Sequence, residues 1–264
     1  MSLDTTAAQP KKILAISGSD VLSGGGFQAD LATYSQYGIY GFVAITSIVT
    51  AENDVFEIFP TASWLFEKQL KSFDKIDFDA IKIGLLPTPE IAELALDFVR
   101  TKKRKQPLIF DPVLVFKENN DAEIHQMLAV LEKFLPFATI ITPNLREAEI
   151  LSGMKIIDLA DMTAAAQAIY DKYAVAVVIK GGNRLGNVSA VDVYYDGVAF
   201  ETYSKPLLAS QSNNGAGCTF ASSIASGIVL NGLADLPKII SDSKTFVYQA
   251  ILSANEYGVF QHEN

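Results

Sequence analysis

Asn213-Asn214-Gly215-Ala216-Gly217-Cys218 runs into an apolar stretch with helical spacing. Such small residues let backbone N–H groups turn towards one point. The helix that follows adds its positive end. Gly215, Ala216 and Gly217 therefore suit an anion, either a phosphate or the oxygens of a phosphoryl group in transfer. The same helix end is expected to lower the pKa of Cys218 and favour its thiolate. A lone cysteine is ordinarily a packing residue, but the Gly-x-Gly frame argues for more here.

Lys180 closes an apolar run just before Gly181-Gly182. Its ammonium would pair with phosphates that the glycines let approach closely. The plainer reading is a surface lysine before a turn. Asp111, Asn144 and Glu147 offer hard oxygen atoms, and magnesium takes one or two carboxylates beside its waters. Asp111 could instead serve a turn, and Glu147 the first turn of a helix. Ser23-Gly24-Gly25-Gly26 allows a flat ligand to come close. It lacks the Lys-[Ser/Thr] of a P-loop and the Gly-x-Gly-x-x-Gly of a dinucleotide fingerprint. His125 and His262 make no metal-ligand spacing with Cys218, so no zinc site is expected. The basic run at Arg100 and 102–105 reads as a solvated helix end.

These residues need a scaffold that gathers them. Continuously apolar runs over 13–17, 41–50, 80–86, 107–113, 138–144 and 175–181 read as strands covered on both faces. Between them lie helical patterns. Ile91, Leu94, Ala95, Phe98 and Val99 form one stripe, and Ile124, Leu128, Leu131 and Leu135 another. Residues 27–37, 161–173, 218–230 and 236–257 read as helices too. A hairpin is expected over 191–195 and 198–203, turning at Asp196-Gly197. This β-α alternation predicts a three-layer α/β/α sandwich on a mostly parallel sheet. Ligands on such a sheet belong at the C-terminal strand ends. Each candidate above leaves one of those ends.

The 264-residue chain is ample for one large α/β domain. We expect a flexible tail over 1–11 and a single domain over 12–264. No apolar run reaches the ~20 residues of a membrane span, and no signal-peptide pattern opens the chain. The single cysteine precludes an internal disulfide and suits the cytoplasm. With 21 Lys+Arg against 30 Asp+Glu, a net charge of −9 makes nucleic acid a poor partner. The same charge would repel a nucleotide, so a bound anion calls for local dipoles, a few basic residues or a metal.

The motifs, in order, resemble a known family. Ile16-Ser-Gly-Ser-Asp20, Ser23-Gly-Gly-Gly-Phe-Gln-Ala-Asp30, Tyr40-Gly41, Lys82-Ile-Gly84, Asp111-Pro-Val113, Thr142-Pro-Asn-Leu-Arg-Glu147, Lys180-Gly-Gly182 and Gly215-Ala-Gly-Cys218 resemble the hydroxymethylpyrimidine/pyridoxal kinases of the ribokinase-like superfamily. The resemblance spans about 13–257. It implies ATP- and magnesium-dependent phosphorylation of a hydroxymethyl group on a small heteroaromatic ring, by a homodimer. Cys218 would deprotonate or orient the acceptor hydroxyl, and the Gly215–Cys218 amides would stabilise the phosphoryl group. Lys180, Gly182, Asn144 and Asn214 would serve ATP, and Asp111 and Glu147 magnesium. Asp20, Gly25, Ala51, Leu85 and Val113 would surround the ring.

Departures bear on the substrate. Dedicated hydroxymethylpyrimidine kinases carry Gln where Ala51 stands, and that amide reads an aminopyrimidine edge. Glu52, next door, is a candidate replacement. Gly-Ala-Gly-Cys looks like the dual-substrate pyridoxal kinases, some of which hold a second cysteine where this chain has Phe116. Asn214 replaces the family's usual His. The resulting expectation is a kinase for pyridoxal, pyridoxine or pyridoxamine. The alternatives are a hydroxymethylpyrimidine/phosphomethylpyrimidine kinase, a sugar kinase (disfavoured by Cys218), or an idle binder of nucleotide or pyridoxal phosphate. Residues 116–121 are expected to form a lid.

Overall fold

A computed structural model describes residues 9–53, 55–102, 106–114, 121–185, 188–208 and 212–262, with the backbone alone for 121–125. Residues 116–120 of the expected lid and most of the expected N-terminal tail lie outside the described residues, as do Lys103, Arg104 and Lys105.

The strands are β1 (Lys12–Asp20), β2 (Tyr40–Glu52), β3 (Val55–Pro60), β4 (Ala80–Ile83), β5 (Leu108–Phe110), β6 (Ile140–Ile141), β7 (Ala176–Lys180), β8 (Ser189–Tyr195) and β9 (Phe200–Pro206). They form one sheet in the order β3-β2-β1-β4-β5-β6-β7-β8-β9. The six from β2 to β7 run parallel. The antiparallel β3 closes one edge, and the β8–β9 hairpin the other.

The helices are α1 (Gly26–Gln36), α2 (Ser63–Lys71), α3 (Pro89–Thr101), α4 (Asp121–Leu131), α5 (Leu145–Ser152), α6 (Leu159–Tyr173), α7 (Ala216–Asn231) and α8 (Leu236–Leu252). Phe66, Ile91, Leu131, Leu145 and Met162, from α2 to α6, pack on one face of the sheet with Leu14, Ile81 and Phe110. Tyr34, Phe220, Ile224 and Ile240, from α1, α7 and α8, pack on the other with Ile13, Ile109 and Val178. That is the three-layer α/β/α sandwich expected from the β-α alternation. Among the described residues no helix is long and apolar enough to cross a membrane.

The sequence reading overextends several strands. The run 80–86 is strand only to Ile83, and 107–113 only over Leu108–Phe110. Leu85 and Leu86 remain buried beyond the strand, which is why they look like part of it. The stripe through Leu135 leaves α-geometry after Leu131 and continues as a 3-10 turn holding Pro136, whose ring cannot sit inside an α-helix. β3 escaped notice because Glu57 and Pro60 interrupt its short apolar run and most of its residues are exposed.

Because β2 to β7 share a direction, their C-terminal ends share one edge. Asp20 ends β1, Gly84 and Leu85 follow β4, Asp111 follows β5, Thr142 to Asn144 follow β6, and Lys180 ends β7.

Candidate active site

Two cavities open along that edge. One, about 380 Å³, lies between Lys180, Gly181, Gly182 and Arg184 on one side and Ala216, Phe220, Val247, Tyr248 and Ile251 on the other. The second, about 410 Å³, is lined by Asp20, Gly25, Leu85, Asp111, Val113, Glu147, Asn214, Gly215 and Cys218, with Ser17, Val49 and Phe56. Asn144, Lys180 and Gly217 line both, so the cavities meet at an ammonium group beside a helix N-terminus.

The turn before α7 depends on glycine. Gly215 caps the helix with φ +84°, and a Cβ there would fall 1.5 Å from the Gly24 carbonyl oxygen. Gly217 leaves room for Lys180, whose Nζ lies 3.2 Å from the place a Cβ would take. The Ala216 N–H donates to Asn213 O at 3.1 Å. The amides of Gly217 and Cys218 are thus the next of the helix's donors without an intrahelical partner. The Ala216 N–H, expected to face the anion, is taken up inside this turn.

Lys180 Nζ donates to Asp111 Oδ1 at 2.7 Å, and Thr142 Oγ1 donates to the same oxygen at 2.9 Å. Burial alone would raise the Asp111 carboxyl, but Lys180 and then Lys82 outweigh it and hold it below the usual range. Burial alone would lower the Lys180 ammonium; Asp111 and Glu147 hold it up instead. Lys180 therefore stays charged where the cavities join.

Glu147 Oε2 accepts from Asn144 N at 2.8 Å, and Asn144 Oδ1 accepts from Glu147 N at 3.1 Å. This reciprocal cap starts α5. The helix-start reading of Glu147 thus holds, yet the same side chain lines the second cavity. Burial pushes its carboxyl up to about 7; Lys180 opposes the rise and the Asp111 charge adds to it. Two buried carboxylates on one cavity wall, one hard to ionise, form a hard-oxygen donor pair that positive charge would stabilise. That fits magnesium, which takes few protein ligands and keeps waters. Among the described residues no group of three or more His, Cys, Asp or Glu is placed to hold a metal.

Cys218 corrects another expectation. Enclosure pushes its thiol pKa up, with Asp30 and Asp111 adding to the rise and Lys82 and the Gly26 N–H opposing it. The helix end does not outweigh burial, so the thiol form prevails at neutral pH.

Three further residues stand apart from their expected places. Ala51 is not on the wall of the second cavity. It sits at the end of β2 opposite Phe56, whose ring lines the cavity instead, because a methyl group is too short to reach it. Glu52 pairs with Val55 and is exposed, away from the site. Asn214, expected beside ATP, lines the second cavity, where its Nδ2 donates to Asp20 Oδ2 at 3.1 Å.

Sequence reasoning missed most of the first cavity's far wall. Lys244, Val247, Tyr248 and Ile251 stand on one face of α8 at i, i+3, i+4 and i+7, a spacing that also describes a core-facing stripe. Asp192 pairs with Lys244 at 2.7 Å and accepts from Gly181 N at 3.1 Å. A buried acid in the middle of a hairpin strand was the available signal.

A profile described as phosphomethylpyrimidine kinase matches residues 20–263. The chain belongs to the phosphomethylpyrimidine kinase family. Within it, the chain is 38% identical over 248 residues to the pyridoxine kinase of Bacillus subtilis, covering 91% of this chain and 90% of that protein. It is 34% identical over 248 residues to the hydroxymethylpyrimidine/phosphomethylpyrimidine kinase of Aquifex aeolicus, covering 93% and 96%. Its fold matches the pyridoxal kinase from Staphylococcus aureus in complex with AMP-PCP and pyridoxal at a TM-score of 0.84 and 38% identity, covering 92% and 88%. The sandwich is thus the ribokinase-like one that the motif order implied, and the family's members are phosphotransferases.

Proposed function

We propose that the chain, as one kinase domain over 12–264, transfers the terminal phosphoryl group of ATP to the hydroxymethyl group of pyridoxal, pyridoxine or pyridoxamine. One observation carries the reading: two cavities, of about 380 and 410 Å³, meet at Lys180, Asn144 and Gly217. ATP lies in the first, between the β7 end with its glycines and α8. The ring lies in the second, among Asp20, Gly25, Leu85 and Val113. The acceptor oxygen then attacks the terminal phosphorus in line, at the junction.

In such a loose transition state, positioning and charge neutralisation are most of the catalysis. Lys180 neutralises phosphate charge, and the Gly217 and Cys218 amides face the transferring group. Cys218, protonated at neutral pH, orients the acceptor hydroxyl, whose proton passes late in the reaction to an oxygen of the transferred phosphoryl group and from there to solvent. Asp111 and Glu147 would hold magnesium. When bound, the ion supplies charge neutralisation on the phosphates.

The pyridine substrates are favoured over the pyrimidine because the site has no amide at position 51 and Glu52 points away. The Aquifex aeolicus relative keeps the hydroxymethylpyrimidine reading as the alternative. The test is magnesium-dependent ADP release with pyridoxal, pyridoxine and hydroxymethylpyrimidine side by side, for the native chain and Ala51→Gln. We expect the native chain to turn over the pyridines, and Ala51→Gln to shift the ratio towards the pyrimidine by tenfold or more, about one good hydrogen bond. Pyrimidine preference in the native chain would replace our reading with the alternative. Nucleotide binding without ADP formation would identify an idle binder.

A cytoplasmic homodimer completes the proposal. Ile48, Val55 and Phe59 on β2 and β3 are exposed on one face of the ribbon, and Phe56 on the other. A band of that kind marks an interaction surface, and Phe56 ties it to the acceptor cavity. Sedimentation velocity at micromolar concentration should give a dimer; a monomer would remove this part of the proposal.

A further inference from the structure

After α8 the chain turns back across the site. Asn255 Oδ1 accepts from the N–H groups of Tyr257 and Gly258 at 2.9 and 3.1 Å, which folds residues 255–258 into a tight turn. Beyond it, Val259 N donates to Asn214 O at 3.0 Å. Asn214 Nδ2 donates in return to Tyr257 O at 3.0 Å. Gln261, 7% exposed, donates from Nε2 to Thr219 Oγ1 at 2.8 Å.

Asn214 and Thr219 flank Gly215–Cys218 in sequence, so one segment grips that turn at both ends. The contact also reaches the loop after β1. A Cβ on Gly258 would fall 2.5 Å from Gly24 Cα and 2.9 Å from Asn214 O. Both atoms are backbone, so neither can swing aside. A buried glutamine is an expensive way merely to fill space, since an apolar residue needs no hydrogen-bond partner.

We propose that residues 257–261 are a positioning strap that sets the geometry of the Gly215–Cys218 turn and thereby the rate of phosphoryl transfer. This rests on the reading of that turn as the cradle of the transferring group. The strap touches neither reactant: Val259 and the Tyr257 carbonyl act through Asn214, and Gln261 through Thr219. It is also absent from the wall of the nucleotide cavity, so its effect belongs to turnover and not to ATP affinity.

The test uses Gly258→Ala and Gln261→Leu in the full chain, with Val198→Ala as control, since that side chain is 91% exposed and lies outside the strap and both cavities. Turnover with pyridoxal, the Kd for ATP, the melting temperature and the rate of iodoacetamide labelling are measured together. Cys218 is the single cysteine, so labelling reports on this turn alone. We expect kcat to fall about 10- to 100-fold in both variants, the scale of a roughly 1 Å misplacement. ATP Kd should change less than twofold and the melting temperature by only a few degrees. Labelling should speed up at least threefold as the turn loosens. Unchanged turnover overturns the strap. So does a loss of turnover that only follows a loss of ATP affinity or of melting temperature. Were the native chain to phosphorylate none of the ring alcohols, the functional reading would fall, and labelling would still decide the strap: unchanged rates in both variants overturn it.

Discussion

Lys180→Met is expected to lower kcat by ~10²–10³-fold, the scale on which a positioned donor to a developing charge acts. Lys180 stands where the two cavities join, its charge held by Asp111. Methionine keeps the stem and removes the ammonium. The nucleotide cavity keeps its α8 wall, so the KM for ATP should rise far less than kcat falls. Lys180→Arg should not rescue it. The space beside Gly217 is fitted to an ammonium, and a guanidinium is broader and planar. Steady-state ADP release beside a thermal melt checks this. A kcat within threefold of the native value in a folded Lys180→Met protein would end the assignment.

The second large effect is on stability. Lys82 and Asp30 form a pair at 2.8 Å with both side chains wholly buried. Ser222 Oγ also donates to Asp30 Oδ1, at 2.7 Å. Removing one partner of such a pair leaves an uncompensated charge, which costs about 3–5 kcal/mol. Lys82→Met should therefore lower the melting temperature by roughly 10 °C or more. The double variant Lys82→Met, Asp30→Leu should recover most of it, because a buried pair is often matched by apolar residues of similar size.

The pH dependence has a definite sign. Burial already raises the Asp30 carboxyl against the pull of Lys82, and without Lys82 it rises further. Folded Lys82→Met then holds a proton that the unfolded chain releases near pH 4, so its stability falls as pH rises above that value. Asp111, held low by Lys180, behaves oppositely: its contribution is present above its usual pKa and lost as pH falls. Thermal melts at pH 5 and pH 8 isolate the Asp30 effect, because Asp111, held low, stays ionised across that range. A Lys82→Met protein as stable as the native chain at both would refute the argument.

The catalytic edge was legible because parallel strands deliver their C-terminal ends together. Asp20, Asp111, Asn144 and Lys180 each follow an apolar run, and that position alone brought them to one place. What stayed hidden were walls made by ordinary packing. Val247, Tyr248 and Ile251 line a cavity with the spacing of core residues. Phe56 lies on a short, exposed edge strand whose apolar run is broken by Glu57. The Cys218 thiol was misjudged because a helix dipole is visible in sequence, whereas the burial that opposes it depends on residues far along the chain.

Distance along the chain also governs how the protein reaches its working form. The nucleotide cavity draws every wall residue from 144–251. The acceptor cavity needs residue 17 and residue 218 together. Its ties join Asp20 to Asn214 and Asp30 to Ser222, separations of 194 and 192 residues. Contacts so distant in sequence are slow to form. In refolding from denaturant we therefore expect nucleotide binding to return no later than acceptor binding, with competence for transfer last, which stopped-flow binding of a fluorescent nucleotide beside recovery of ADP release checks.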